Sequence, residues 1–203
     1  MIINSFDKSV SIKIVYFGPA LSGKTTSLRS LFTYLNKSDD IISIENTLNR
    51  TLFFDYGTLI FQNEKWDLKI HIYSTTGQDF YIVTRPTTLK GIDGLIFVAD
   101  SQIEAYERNL TSWRELISYF GTSIENLPII INFNKQDLKE KFKSMRFMNE
   151  INYKRLNNLG VEYTAAINGK GIIDSFEQVL KLIFQDFTNS QLLSNEGSYF
   201  LYV

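Results

Sequence analysis

The sequence has no cysteine and only one histidine among its 203 residues. Without cysteine there is neither a disulfide framework nor thiolate chemistry. A histidine-based metal site needs more ligands than His71 alone, so we expect His71 to be a packed or surface residue of a strand. The sequence also lacks an excess of either charge, with 21 Lys and Arg against 22 Asp and Glu. No overall field therefore attracts nucleic acid or an anionic membrane.

Long apolar runs are missing as well. No segment approaches the roughly 20 apolar residues that a membrane-spanning helix needs. Residues 1–6 lack the charged and apolar regions of a signal peptide, and neither end carries a lipidation motif. We therefore expect a cytoplasmic protein without integral membrane association. A hydrophobic content of 44% over 203 residues fits one soluble domain with an ordinary core.

The most specific motif is G-x-x-x-x-G-K-T at residues 18–25. An apolar, β-branched run at 12–17 precedes it, and apolar residues at helical spacing follow it in 26–35. This strand-to-helix turn is the context of a phosphate-binding loop, since amides at a helix N-terminus favour anions. The alternative is a plain turn with a surface lysine. We predict nucleotide contacts from Gly18, Leu21, Ser22, Gly23, Lys24, Thr25 and Thr26, with Lys24 at the β- and γ-phosphates and the Thr25 hydroxyl on Mg²⁺.

A second motif, N-K-x-D, follows the apolar run at 128–133. A carboxylate can accept from the adjacent N1–H and amine of guanine, a pair that adenine lacks, so Asp137 is the predicted base-reading residue. Lys135 can cover the ring, and Asn134 can join this loop to the phosphate loop. Alone the motif is a polar turn, but in a chain with a phosphate-binding loop it becomes specific. After the next strand we predict base contacts from Ala165, Ala166 and Ile167, with the Ala166 amide at guanine O6.

Strands alternate with helices along the chain, which predicts a doubly wound α/β domain. Residues 51–62 and 66–74 are typical of two strands, and their three-residue connection implies an antiparallel hairpin at one edge of the sheet. In the second strand, Leu68, Ile70, Ile72 and Ser74 share one face. We predict a loop at 41–50 and a helix around 145–158.

With these motifs the sequence resembles the Ras-like small GTPases over about residues 10–187, and among them the bacterial MglA type. The phosphate-binding loop carries the resemblance, together with R-T-L-F-F-D at 50–55, T-G-Q-x-F-Y at 76–81 and G-I-D-G-L-I-F-V-A-D-S at 91–101. The resemblance implies a three-layer P-loop NTPase domain. It has a mostly parallel six-stranded sheet with one antiparallel edge hairpin, followed by a short extension at 188–203.

The resemblance also implies roles in hydrolysis. Thr51 matches the threonine that closes over Mg²⁺ and the γ-phosphate, and the Gly77 amide matches the one that senses this phosphate. Gln78 matches the residue that orients the attacking water. Arg50 matches an intrinsic arginine that stabilises charge on the transferring phosphoryl group, although a solvent-exposed loop arginine is the alternative. Ser74 stands where most small GTPases have aspartate, and its hydroxyl can accept from a water bound to the metal.

By resemblance, the function is that of a GDP/GTP molecular switch that binds guanine nucleotide with Mg²⁺ and hydrolyses GTP. The family implies regulation of cell polarity or motility and an MglB-type roadblock-fold dimer as the activating partner. One alternative is a GTP-bound scaffold that has lost useful hydrolysis. Another is a P-loop small-molecule kinase, which would need an arginine-rich lid and no N-K-x-D motif.

Ala20 generates the first prediction, because most Ras-like proteins have glycine at this position. Its methyl group points toward the space that Gln78 and an arginine must enter, so we expect slow intrinsic hydrolysis with nucleotide binding retained. If the methyl group costs about 1.4 kcal/mol of transition-state stabilisation, Ala20→Gly accelerates hydrolysis about tenfold. Single-turnover assays of both proteins measure this ratio, and an unchanged rate would remove the steric argument.

Overall fold

The computed structural model describes residues 1–37, 40–45, 51–62, 65–75 and 85–193. Side chains within 41–45, 51–54 and 186–193 are not described. The strands are β1 Ile2–Asn4, β2 Ser9–Phe17, β3 Ile41–Glu45, β4 Thr51–Gln62, β5 Asp67–Thr75, β6 Gly94–Asp100, β7 Ile129–Asn134 and β8 Leu159–Tyr163. The helices are α1 Lys24–Tyr34, α2 Arg85–Leu89, α3 Tyr106–Phe120, α4 Ser144–Glu150 and α5 Ile172–Leu193.

All eight strands of the described residues belong to one sheet, in the order β3-β4-β5-β2-β6-β7-β8, with β1 paired antiparallel to the start of β2. Strands β5, β2, β6, β7 and β8 run parallel, whereas β4 pairs antiparallel with both β3 and β5. The α/β class and the antiparallel hairpin are confirmed. The sheet has two strands more than the six expected, since β1 and β3 extend it.

The loop prediction for 41–50 is wrong at 41–45, where β3 pairs with β4 as an edge strand. The five residues Ile-Ile-Ser-Ile-Glu form a short strand between the polar segments 37–40 and 46–50, so the sequence alone does not distinguish them from a loop, and their pairing with β4 is a contact between distant parts of the chain. The helix expected at 145–158 is also too long, because α4 ends at Glu150. Asn152 adopts the left-handed backbone conformation at φ 55°, which stops the helix before a single 3₁₀ turn at Tyr153–Arg155.

Helices cover both faces of the sheet. One core packs Ile70 and Ile72 of β5 with α1 and α5, and the other packs Phe97 of β6 with α3 and α4. The predicted face of β5 is confirmed, since Ile70, Ile72 and Ser74 are buried, while His71 on the opposite face is half-buried. His71 lies in a strand, as expected, with Nδ1 2.9 Å from the Tyr56 hydroxyl.

This topology positions the motifs. The carboxyl ends of β2, β6, β7 and β8 meet at one edge of the sheet, and each is followed by a loop there. Ligands of open α/β sheets bind at that edge, at the point where the strand order reverses. Within the described residues, none of the helices has the length and apolarity needed to cross a membrane.

Candidate nucleotide-binding site

The loop between β2 and α1 has a backbone that side chains would obstruct. Gly18 has φ 146°, and a Cβ there would lie 2.4 Å from the carbonyl oxygen of Val98. Gly23 has φ 102°, and its Cβ would lie 2.2 Å from Nδ2 of Asn134. Leu21 also adopts a left-handed conformation, at φ 62°. Glycine at 18 and 23 therefore permits the close packing of this loop, whose amides precede the N-terminus of α1.

Lys24 begins α1 with a buried side chain. Its ammonium donates to the carbonyl oxygens of Gly18 at 2.9 Å and Pro19 at 2.8 Å, so the loop wraps around its own cation. Burial, with a smaller contribution from Arg85, lowers the pKa of Lys24 to about 7, and Asp55 and Glu115 partly oppose this shift. A phosphate group beside this nitrogen would favour the charged form, since an opposite charge raises the pKa of an amine.

Asn134 joins three loops at the end of β7. Its Nδ2 donates to the carbonyl oxygen of Ser22 at 2.8 Å, which is the predicted connection to the phosphate loop. Its Oδ1 accepts from the Thr164 hydroxyl at 3.1 Å and from the Ala166 amide at 3.0 Å. The side chain is only 2% exposed, so all three bonds lie away from water. One buried amide thus holds the phosphate loop and both predicted base loops in a common geometry.

The two loops predicted to bind the base, after β7 and β8, are exposed beyond Asn134. Lys135 has φ 67°, and its ammonium donates to Oδ2 of Asp100 at 2.7 Å. The side chains of Asp137 and Ile167 are exposed at the same end of the sheet. The Ala166 amide, assigned above to guanine O6, donates here to Asn134. A contact with O6 through this amide would therefore be shared with the asparagine.

Sequence reasoning missed a carboxylate in this site. Asp55 of β4 is fully buried, and its Oδ2 accepts from the Thr25 hydroxyl at 2.6 Å. It pairs directly with Ser74 across the β4–β5 ladder, so both side chains lie on the α1 face. The Ser74 hydroxyl is buried without a hydrogen-bond partner among the described residues. The visible signal was a charged residue inside an apolar strand, but only the register shows that it faces Thr25.

A second missed group is the ion pair between Arg85, the first residue of α2, and Glu115 of α3. Arg85 is 4% exposed and lies over the ring of Phe17, and Glu115 also accepts from the Tyr119 hydroxyl at 2.8 Å. Burial and the hydrogen bond to Glu115 raise the pKa of Tyr119 to about 12. This network anchors α2, which follows the segment containing Gly77 and Gln78.

Several predicted catalytic residues fall outside the described part of the chain. Arg50, Gly77 and Gln78 are among them, and Thr51 begins β4 but its side chain is not described. Their roles stay predictions. By contrast, the phosphate loop, the N-K-x-D loop and Ala165–Ile167 converge on one edge of the sheet through Asn134.

Comparison with known proteins agrees with this geometry. The model of the ADP-ribosylation factor (Arf) family matches residues 1–183. The chain therefore belongs to this family of small GTPases, whose members bind guanine nucleotide and in general hydrolyse GTP. This confirms the resemblance to Ras-like small GTPases.

Several individual proteins are similar to this chain over most of its length. The chain is 35% identical over 191 residues to the mutual gliding-motility protein MglA of Myxococcus xanthus (strain DK1622), with 91% of this chain and 96% of that protein covered. It is 25% identical to the Ras-related protein Rab-4A of Danio rerio, with 89% of this chain and 79% of that protein covered. The human Ras-related protein Rab-4B is 23% identical, with the same coverage of both chains.

The low pKa of Lys24 predicts proton uptake on nucleotide binding. Above this pKa the amine is mostly neutral, and phosphate binding would charge it, so binding takes up a proton. The affinity should therefore be highest below pH 7 and fall as pH rises above 7. Calorimetric titration of GDP in buffers of different ionisation enthalpy measures this uptake.

Lys24→Arg is the matched control, because arginine stays charged throughout this pH range. GDP binding by this variant should involve no proton uptake at position 24, and its affinity should depend less on pH. Equal proton uptake by the parent and by this variant would contradict the assignment.

Proposed function

We propose that this small GTPase is a GDP/GTP molecular switch that binds its nucleotide with Mg²⁺ and hydrolyses GTP slowly. The observation that carries the proposal is the buried side chain of Asn134. Its bonds to Ser22 and Ala166 hold the phosphate loop beside the loops predicted to bind the base. A phosphate site and a base site in fixed relation are what a purine nucleotide requires.

Guanine selection is assigned to Asp137. Its carboxylate is exposed in the loop that follows β7, where Lys135 is held to Asp100. A carboxylate that accepts from two adjacent donors forms charge-assisted hydrogen bonds, which are stronger than neutral ones. An adenine nucleotide offers no such pair of donors and would leave this acid without a partner at the base.

The donor set around Thr25 fits Mg²⁺. Oxygen ligands suit this ion, which keeps several waters and takes others from phosphates. No three acidic or histidine side chains converge within the described residues, so phosphate and water would supply most of the coordination. The Thr25 hydroxyl would hold the ion directly, together with Thr51 by resemblance. Asp55, which accepts from Thr25, and the Ser74 hydroxyl, which has no partner among the described residues, would accept from its waters.

In hydrolysis, Gln78 orients the attacking water and Arg50 stabilises charge on the transferring phosphoryl group. The Gly77 amide and Thr51 sense the γ-phosphate, so the segments that contain them change with nucleotide state. The buried Arg85–Glu115 pair supports this assignment, because it fixes the chain seven residues after Gln78. The methyl group of Ala20 accounts for a slow intrinsic rate.

The relative named for gliding motility supports a cellular role in polarity or motility. An MglB-type roadblock-fold dimer is the proposed activating partner, and it would act by repositioning Gln78 and Arg50. State-specific effectors would then read the segment after Gln78.

Replacing Asp137 by asparagine tests the proposed base selection. Guanine presents an amine at C2, whereas xanthine presents a carbonyl that an asparagine amide can donate to. With two charge-assisted bonds lost, Asp137→Asn should weaken GDP binding at least about 100-fold and strengthen xanthosine diphosphate binding. Fluorescence titration with labelled nucleotides measures both affinities.

Glu140→Gln is the control, since it removes an exposed acid from the same loop without touching the motif. It should keep the parent's preference for GDP. A variant Asp137→Asn that binds GDP like the parent would refute the assignment of the base-reading residue.

Moving the carboxylate from position 55 of β4 to position 74 of β5 tests the proposed metal site. Asp55→Asn should weaken Mg²⁺ binding to the GDP complex about 10- to 100-fold, because a charged partner of the metal-bound water is lost. Adding Ser74→Asp should recover much of this affinity, since position 74 lies directly opposite position 55. The Mg²⁺ dependence of GDP release reports both effects, and an unchanged midpoint in Asp55→Asn would contradict them.

A further inference from the structure

At the end of the sheet opposite the nucleotide site, an apolar row crosses four strands. We define the lower strip as Phe61 of β4, Leu68 of β5, Val10 of β2 and Ile3 of β1, which are paired in succession. Directly paired residues share a face, so all four point to the side of α1 and α5. Phe61 is 46% exposed and Ile3 is 38% exposed, while Leu68 and Val10 are half-buried.

Helix α1 stops before it reaches this strip. A Cβ on Gly57 would lie 2.4 Å from the ring of Phe32, so the end of α1 packs at the level of Gly57. After α1 the chain turns back, and Ile41 at the start of β3 pairs with Gly57 again. Phe61 lies four residues further along β4, or about 13 Å away. Neither α1 nor β3 therefore covers the lower strip.

Helix α5 leads the chain to this strip. Its Ser175 donates to Asn132 near the nucleotide end, whereas its Ile183 packs on Gly94 at the start of β6, where an added Cβ would lie 2.7 Å from Cδ1 of Ile183. The helix thus runs antiparallel to the strands. The ten residues from Ile183 to the end at Leu193 advance it about 15 Å. Gly94 pairs with Ile14 of β2, and 15 Å corresponds to about four to five residues along a strand. Helix α5 therefore ends beside Val10, near the start of β2.

The chain that follows α5 has the composition to cover apolar surface. Residues 194–196 are Ser-Asn-Glu, and residues 197–203 are Gly-Ser-Tyr-Phe-Leu-Tyr-Val. Seven extended residues span about 23 Å, whereas the three strand spacings of the strip add up to about 14 Å. The polar residues 194–196 suffice as a connection, because the helix already ends level with the strip. Without such a surface, the five apolar and aromatic residues at 199–203 would stay in water, which is unfavourable in free energy.

We propose that residues 197–203 of this chain dock on the lower strip, so that Phe61 and Ile3 become covered by the apolar segment. The docked segment would fix the end of α5 to β1 and β4, at the end of the sheet that lies away from the nucleotide. The proposal does not depend on the nucleotide chemistry, since its residues belong to none of the loops of the site.

Disulfide trapping in the full chain tests the proposal, and the absence of native cysteine makes each introduced pair unambiguous. Leu201→Cys is combined with Ile3→Cys in one protein and with Ile2→Cys in the other. Ile2 is 71% exposed and points to the opposite face of the same strand, so it is the matched control. In a glutathione buffer, the Ile3 pair should form an intramolecular disulfide at least about tenfold more readily than the Ile2 pair.

The docking should also depend on the strip itself. Added to the Ile3 pair, Phe61→Ser should abolish the preference, whereas Ile60→Ser, on the opposite face of β4, should leave it intact. Melting curves by circular dichroism show that both variants are folded. If Phe61→Ser unfolds the chain, a second double-cysteine comparison with Phe61→Leu should retain the preference.

Three outcomes would overturn the proposal. Equal trapping of the Ile3 and Ile2 pairs would show that the segment does not select the strip. Predominant disulfide-linked dimers that diminish on dilution would indicate a second copy as the occupant. Trapping at Ile3 that is lost when vesicles of phosphatidylcholine and phosphatidylglycerol are added would show that the segment prefers a lipid surface.

Discussion

The arrangement of this site depends on the buried amide of Asn134. It satisfies Ser22, Thr164 and Ala166 at once, in a position with 2% exposure. A buried polar group that loses its partner costs about 1–3 kcal/mol, so these bonds must form together or the loops separate. β7 supplies the rigid support, since it is flanked on both sides by parallel strands. The two ends of a nucleotide can then be recognised by loops that are far apart in sequence.

The proposed metal site depends on strand register in the same way. Asp55 faces Thr25 because it pairs with Ser74 across β4 and β5. A shift of one residue in β4 would turn the carboxylate to the other face of the sheet, away from α1. The neighbouring strand thus brings a carboxylate beside Thr25, directly opposite Ser74. This carboxylate is close enough to raise the pKa of Lys24.

Much of the fold and the two nucleotide motifs could be predicted because their signals are local. The turn at residues 18–25 needs glycine where side chains would collide, and the buried strands before each motif are strongly apolar. Asp55 and the Arg85–Glu115 pair could not be found in this way. Each joins residues 30 positions apart in sequence, and their contacts follow from strand register and helix packing. Strand β3 was missed because it is only five residues long and lies between polar segments, while its partner β4 follows later in the chain.

The most direct test of the account is the GDP affinity of Asn134→Ala beside that of Asn132→Ala. Asn132 lies on the same strand and is equally buried, but its Oδ1 accepts from Ser175 of α5 and holds no loop of the site. Removing three hydrogen bonds of about 0.5–1.5 kcal/mol each, Asn134→Ala should weaken GDP binding about 10- to 1000-fold. Asn132→Ala should lower stability and leave the affinity close to that of the parent. A chain with Asn134→Ala that binds GDP as tightly as the parent would contradict the account.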